Sequence, residues 1–390
     1  MLGEHARLMA AAGHDVRVVV ARGEAAAAGV ELVRIPLVDS LHPDVHEVQA
    51  ELDAGRVPSG FATLRDRLGD ELATALHDRD VVICHNVASL NKNLALTAAL
   101  HDLGARSGAP RLVLWHHDLA WTLPQYRPTL HDGAPWNLLR QPWRGAVQVT
   151  ISAARANELA TLMGLAPGSI VVVPNGVDLA TVLGLDAATL GLAAGTRLLA
   201  ADPLMLMPSR ILPRKAIEVG VEVVAALRAS GAPAGVVVAG PADPHERGRD
   251  GYLTGLRALA VERGVAEWVW FPGADLAVGV PDAVMADLYA LADLVFLPSR
   301  DEGFGIPVLE AALHRLPIVC TDLPALREVA GEAAVWLPPD ASPRDIAARI
   351  RERLDTDPVA RLARKVRHGA AWDVVYGTHI APLLASIAAS

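Results

Sequence analysis

Short apolar runs alternate with amphipathic stretches along almost the whole chain. Runs of four to seven mostly β-branched or aliphatic residues predict strands at Asp15–Ala21, Val30–Ile35, Val81–His85, Arg111–Trp115, Val147–Ile151 and Ile170–Val173. Helical periodicity, apolar at three- and four-residue spacing, predicts helices at Leu2–Ala12, Phe61–His77, Asn91–Leu103 and Ser152–Leu165. Ser152 follows a strand directly and suits a helix N-cap. Strands that alternate with helices, and that are apolar throughout rather than at every second position, predict a parallel doubly wound sheet. Residues about 120–145 break the rhythm: they are rich in Trp, Pro and Arg and predict a long loop or short-helix insertion facing a cleft.

The turn signal Pro174-Asn-Gly-Val-Asp178 closes this first series. Residues 179–202, mostly Ala, Leu and Gly, read as a linker. A second series then begins. Its expected strands are Leu204–Pro208, Gly235–Ala239, Trp268–Phe271, 293–297, Pro317–Cys320 and Ala333–Leu337. Helices are expected at Ala216–Ser230, Tyr252–Arg263, Ala283–Leu291, 307–314, 343–354 and 358–371. The organisation that follows is a first Rossmann-like domain over 1–178, a linker, a second such domain over 203–371, and a final helix over 372–390.

Composition fits two packed domains. The chain has 390 residues, 52% hydrophobic and 20% charged, enough to build sizeable cores. Aromatics are 4%, so Ala, Val and Leu must fill those cores. A net charge of −9 argues against a nucleic-acid surface as the main business. Cys84 and Cys320 end apolar runs, with no metal-ligand spacing or disulfide framework, which points to a reducing, cytoplasmic setting. No apolar run approaches the ~20 residues of a membrane span, and the charged start is not a signal peptide.

The chemistry concentrates in Pro298-Ser-Arg-Asp-Glu-Gly-Phe-Gly-Ile-Pro-Val-Leu-Glu310. The apolar run Asp293-Leu-Val-Phe-Leu297 breaks at Pro298, passes Gly303 and Gly305, and restarts as a helix at Pro307. Glycines let backbone approach a ligand, and the N–H groups of a helix start suit a diphosphate. Glu302 and Glu310 bracket the turn with seven residues between them, so they can reach different parts of one long ligand. The bland reading, an ordinary strand–turn–helix with solvated acids, explains one Gly and one Glu but not the combination. At these residues the chain resembles the retaining glycosyltransferases of family four, of GT-B architecture: two Rossmann-like domains facing a cleft. The resemblance implies that Glu302 binds donor-sugar hydroxyls and Glu310 the donor ribose. Gly303, Phe304 and Gly305 would supply backbone around the sugar and diphosphate.

Further candidates follow from the same reading. Arg210 and Lys215, in Met207-Pro-Ser-Arg-Ile-Leu-Pro-Arg-Lys-Ala-Ile-Glu218, put two cations where a strand gives way to a helix. Cations at a helix start are mildly unfavourable unless they serve a ligand, and the family carries diphosphate contacts there. Leu114-Trp-His-His-Asp-Leu-Ala-Trp121 places His116, His117 and Asp118 at a strand's C-terminal end, where open α/β sheets bind ligands. By the resemblance His117 positions the donor sugar and Asp118 orients it. His116, with His85 and Asn86 at the end of another strand, could line the acceptor side. Gly240 suits close packing against the nucleotide, and Pro272-Gly273 a place near the base. Asp78-Arg79-Asp80 matches a metal-binding pattern of another glycosyltransferase architecture, but it stands at the wrong end of its strand, and no essential metal or other cofactor is expected.

The expectation is therefore a retaining hexosyltransferase using a nucleotide-diphosphate sugar, GDP-mannose or UDP-glucose in class, and a hydroxyl acceptor such as a small soluble molecule or glycan. The alternatives are a phosphorylase or nucleotide-sugar epimerase on the same fold, or a non-catalytic nucleotide-sugar-binding protein. The resemblance also implies a strand and Gly-rich loop ahead of the first helix, which this sequence does not contain. The final helix is expected to cross back to the first domain.

Overall fold

The computed structural model describes residues 1–24, 27–166, 168–242, 249–274, 276 and 279–389. In chain order its strands are β1 (Val16–Val20), β2 (Val30–Arg34), β3 (Val81–His85), β4 (Arg111–His116), β5 (Val147–Thr150) and β6 (Val171–Val172). They continue with β7 (Leu204–Met207), β8 (Gly235–Val238), β9 (Val269–Trp270), β10 (Leu294–Leu297), β11 (Ile318–Thr321) and β12 (Ala334–Leu337). Every ladder between them is parallel. The chain divides into two compact units, Met1–Gly176 with Trp372–Ser390, and Val177–Ala371.

The second unit is one six-stranded sheet in the order β12-β11-β10-β7-β8-β9. The strand order reverses between β7 and β10. In parallel sheets, ligands bind at the carboxyl ends of strands beside such a reversal. The four residues of each of β7, β8, β10 and β11 are all buried, as apolar strands with helices on both faces require. Residues expected to form a linker fold instead as helices Leu179–Leu183 and Ala187–Ala194, each N-capped by an aspartate, and Leu198 lies in the unit's core. A composition of Ala, Leu and Gly hides these helices, because their capping residues, Asp178 and Asp186, are the only local signal.

In the first unit the strands do not make a single sheet. β1 and β2 form one pair, and β3-β4-β5-β6 form a four-stranded sheet. Among the described residues no ladder joins β1 to β3. The helix Pro43–Asp53, which the periodicity did not announce, buries Val45 and Leu52. Residues 120–145 are packed rather than open: three short 3-10 turns carry buried Trp136 and Leu139, and Arg140 stacks 4.0 Å above the Trp121 ring. The C-terminal segment runs as Trp372–Val375, a π turn at Tyr376–Ile380 and Ala381–Ala388. Its Trp372 packs with Val113, Trp115 and Val149.

Candidate functional site

In the second unit the charged groups of the sequence motif come together at the ends of β7 and β10. β10 ends at Leu297, and Ser299, 1% exposed, follows at once. The turn closes at Gly305, whose φ of +95° starts helix Ile306–Leu313. That backbone conformation favours glycine. Space demands it as well, since a Cβ here would lie 2.6 Å from the Leu326 side chain. On the β7 side, a 3-10 turn over Pro213–Lys215 and the left-handed Ala216 turn Lys215 inward.

Lys215 and Glu302 meet as an ion pair on Oε1 of the carboxylate, and the Ser299 hydroxyl donates to the same oxygen at 2.7 Å. The lysine side chain is 11% exposed and the glutamate 7%. Desolvated charges hold such positions only when paired and hydrogen-bonded. Both contacts converge on Oε1.

The second carboxylate, Glu310, lies in the following helix and accepts from the buried Tyr289 hydroxyl at 2.6 Å. Burial, and then the bond to Glu310, push the Tyr289 phenol far above its usual range, so it stays a donor. Tyr289 is in turn stacked on His314 at 5.0 Å. Ser299 and Tyr289 are site residues that sequence reasoning missed. Ser299 sat inside the quoted motif; Tyr289 carried no signal, because it lies on the preceding helix, Asp282–Leu291.

The remaining expectations sort differently. Arg210 is exposed in the β7 loop and Phe304 is 54% exposed in the motif turn. Gly303 has open space where a Cβ would stand. Gly240 has none: a Cβ there would fall 2.2 Å from the Ser209 carbonyl oxygen and 2.6 Å from the Arg210 amide. Its small size serves the contact between two loops, fixed further by the Ile211 amide donating to Pro241 at 2.9 Å. Gly240→Ala therefore overpacks backbone against backbone, and we expect a loss of about 1–3 kcal/mol, measurable by denaturant unfolding.

In the first unit β4 delivers the histidine pair. His116, 1% exposed, bonds Gln148 of β5 through Nε2 at 2.7 Å. This corrects its placement on an acceptor-facing surface: β4 is buried at every position from Leu112 to His116, and burial lowers the His116 pKa to about 4. His117 faces the other way and is half-buried. Its backbone amide donates to the Asn86 side chain at 2.7 Å, and Asp118 donates to the same oxygen at 3.3 Å. Asn86, at φ +58°, thus clamps the end of β4. The His117 ring is held by His85, with Nε2 and Nδ1 3.2 Å apart. Among the described residues the ring's hydrogen-bond partner is His85, and the Asp118 charge favours its protonated form.

Around this pair lies a histidine cluster. His5 sits 5.2 Å from the His85 ring and 4.7 Å from Trp115. Burial, followed by neighbouring positive charge, lowers His5 to about 4 and His85 to about 3. The sign follows directly. Their folded values lie below the unfolded 6.5, so between about 6.5 and 4 the unfolded chain binds more protons. Stability is therefore lost as pH falls through that window, by about 1.4 kcal/mol per pH unit for each group that stays fully neutral. Melting temperature against pH checks this, and His85→Gln should flatten the slope.

Comparison with known proteins identifies the family. The sequence model described as Glycosyltransferase Family 4 matches residues 1–181, and the model described as Glycosyl transferases group 1 matches residues 196–369. A D-inositol 3-phosphate glycosyltransferase of Kineococcus radiotolerans is 34% identical over 234 residues, 55% of this chain and 50% of that protein. An O-antigen chain mannosyltransferase B of Escherichia coli is 40% identical over 101 residues, 25% of this chain and 24% of that one. The chain thus spans about half the length of the first of these relatives. Among solved structures, Anabaena HepE in complex with UDP-glucose aligns at 18% identity and a TM-score of 0.36, over 83% of this chain and 82% of that one. Two matching models cover nearly the whole sequence, one on each series of strands and helices, and the chain belongs to glycosyltransferase family 4.

Proposed function

We propose that this protein is a retaining glycosyltransferase that moves a hexose from a nucleotide-diphosphate sugar to a hydroxyl acceptor. The observation that carries the reading is the pair of carboxylates at the β10 turn. One is held by Lys215 and Ser299, the other by Tyr289, and both are fixed by side chains rather than dissolved in water. Fixed acceptors select hydroxyl donors by geometry. In this reading Glu302 accepts from the donor sugar and Glu310 from the ribose. Lys215 and Arg210 offset the charge gathering on the departing diphosphate. The diphosphate leaves on the face where the acceptor hydroxyl enters and takes up its proton, so no protein base is needed. The role of His117, positioning the donor sugar, rests on the family resemblance alone and would cost its ring the bond to His85. The two glutamates are not the acid and nucleophile of the glycosidase scheme.

Two relatives' names, a D-inositol 3-phosphate glycosyltransferase and an O-antigen chain mannosyltransferase B, put D-inositol 3-phosphate and mannose among the first substrates to try, with UDP- and GDP-sugars as the donor classes to test. Nuclear magnetic resonance of the product then reads the anomeric configuration. Retention supports the proposal, and inversion overturns it. For the donor site, Glu310→Ala removes one charge-assisted hydrogen bond, worth about 1.5–3 kcal/mol. Titration calorimetry should show nucleotide affinity falling roughly 10- to 100-fold; unchanged affinity would remove Glu310 from the site.

A further inference from the structure

Helix Pro358–Gly369 of the second unit is turned the wrong way round for a surface helix. A helix on a protein body ordinarily lays its apolar stripe on the core and holds its charges toward water. Here a charged side faces the body. Arg364 bonds Asp202 at 2.5 Å, and Arg367 pairs with Asp293 and donates to the Leu291 carbonyl. Both arginine side chains are mostly buried by these contacts. Ala360, on the same face one turn earlier, packs against the unit's core.

Leu362 lies on the opposite side, since two residues turn a helix by about 200°. It is 60% exposed, and Val359, three residues before it, is 75% exposed. Val366, four residues after it, continues the stripe, and none of the three enters the core. Rotating the helix would bury these side chains, but it would take the arginines from Asp202 and from the buried Asp293. Stripping a buried charge of its partner costs more than two aliphatic side chains return, so the ion pairs hold the apolar stripe outward.

The charges beside the stripe have one sign. The helix holds four of the chain's 35 Lys and Arg residues and none of its 44 Asp and Glu residues. Arg361 and Lys365, four residues apart and both exposed, run along one border of the stripe. The acids at the amino end of the helix are engaged: Asp355 by Arg364 at 3.5 Å, and Asp357 by Arg353 at 3.0 Å and by the amides of Val359 and Ala360. An apolar stripe bordered by cations complements an anionic surface. It fits a second copy of itself poorly, because a two-fold contact would set Arg361 and Lys365 against their own counterparts.

We propose that this helix is a docking surface for an anionic lipid bilayer. It lies in the plane of the interface, with Val359, Leu362 and Val366 entering the headgroup layer and Arg361 and Lys365 meeting lipid phosphates. So short a helix with two free cations makes a reversible, salt-sensitive contact and not a permanent anchor. The proposal stands apart from the transfer reaction, so its test needs no turnover.

The full chain is mixed with vesicles of phosphatidylcholine alone, or of phosphatidylcholine and phosphatidylglycerol in equal parts, and bound protein is measured by flotation. The expected result is binding to the mixed vesicles that weakens as salt is added, and little binding to the neutral ones. Leu362→Ser should lower the partition coefficient roughly ten-fold, and Lys365→Gln about five-fold. Both positions are exposed, so the melting temperature should hold in each variant. Val261→Ser, on helix Arg249–Glu262 and 68% exposed, is the control and should leave binding unchanged. No binding to the mixed vesicles, or binding that Leu362→Ser and Lys365→Gln weaken no more than Val261→Ser does, overturns the proposal. So does dimerisation in sedimentation velocity that Leu362→Ser abolishes, which would give the stripe to a second copy.

Discussion

Lys215→Ala melts well below the wild-type protein. The substitution leaves the Glu302 carboxylate, 7% exposed, with only the Ser299 hydroxyl on Oε1. Breaking a buried pair on one side costs about 3–5 kcal/mol, because the remaining charge is uncompensated. In a domain of this size that lowers the melting temperature by about 6–20 °C. The double change Lys215→Met with Glu302→Gln removes both charges at similar volume and should regain most of the loss. It should not regain binding of a nucleotide sugar, which in the proposed function needs both groups. Scanning calorimetry of the three proteins separates these effects. A Lys215→Ala protein that melts with the wild type would show that the pair does not hold the loop.

His117→Ala loses turnover and keeps the donor. The proposed role of His117 is to hold the donor sugar and its developing charge, and removal of one such oriented group costs roughly 10²–10³ in kcat. The fold should survive. The ring is half-buried, and the clamp on β4 is made by the Asn86 side chain to backbone amides that alanine retains. Nucleotide binding, assigned to Glu302 and Glu310, should be unchanged, so kcat falls while the donor dissociation constant holds. His85→Asn tests the support of that ring: it should lower kcat less than His117→Ala and shift the acid limb of the pH profile. Normal turnover by His117→Ala would take this residue out of the reaction.

The strands of the second unit could be read from the sequence to within a residue or two, whereas its helices Leu179–Leu183, Ala187–Ala194 and Pro324–Ala330 could not. Apolar runs buried on both faces announce strands without ambiguity, and β10, its turn and the following helix lie within a residue or two of the reading. The turn glycines carried a mechanism: Gly305 needs its positive φ and cannot bear a side chain. What escaped were the partners supplied from elsewhere in the chain. Tyr289 reaches Glu310 across 21 positions and Lys215 reaches Glu302 across 87. No local pattern encodes such distances. The burial of His116 beside Gln148 was not legible, because β4 is buried on both faces and its last residue follows the apolar run into the core. The separation of β1 and β2 from β3 to β6 was not legible either, because apolar strands declare burial and not their neighbours.

One measurement tests the central claim most directly: thermal melting with UDP, GDP, ADP and their common sugar conjugates, on the wild type and Glu310→Ala. A ligand at a hundred times its dissociation constant stabilises by about 2.7 kcal/mol, a rise of several degrees here. The proposed function predicts that one nucleotide series raises the wild-type melting temperature and that Glu310→Ala abolishes the rise at the same concentration. No shift with any nucleotide, or an equal shift in both proteins, would contradict a donor site at Glu302 and Glu310.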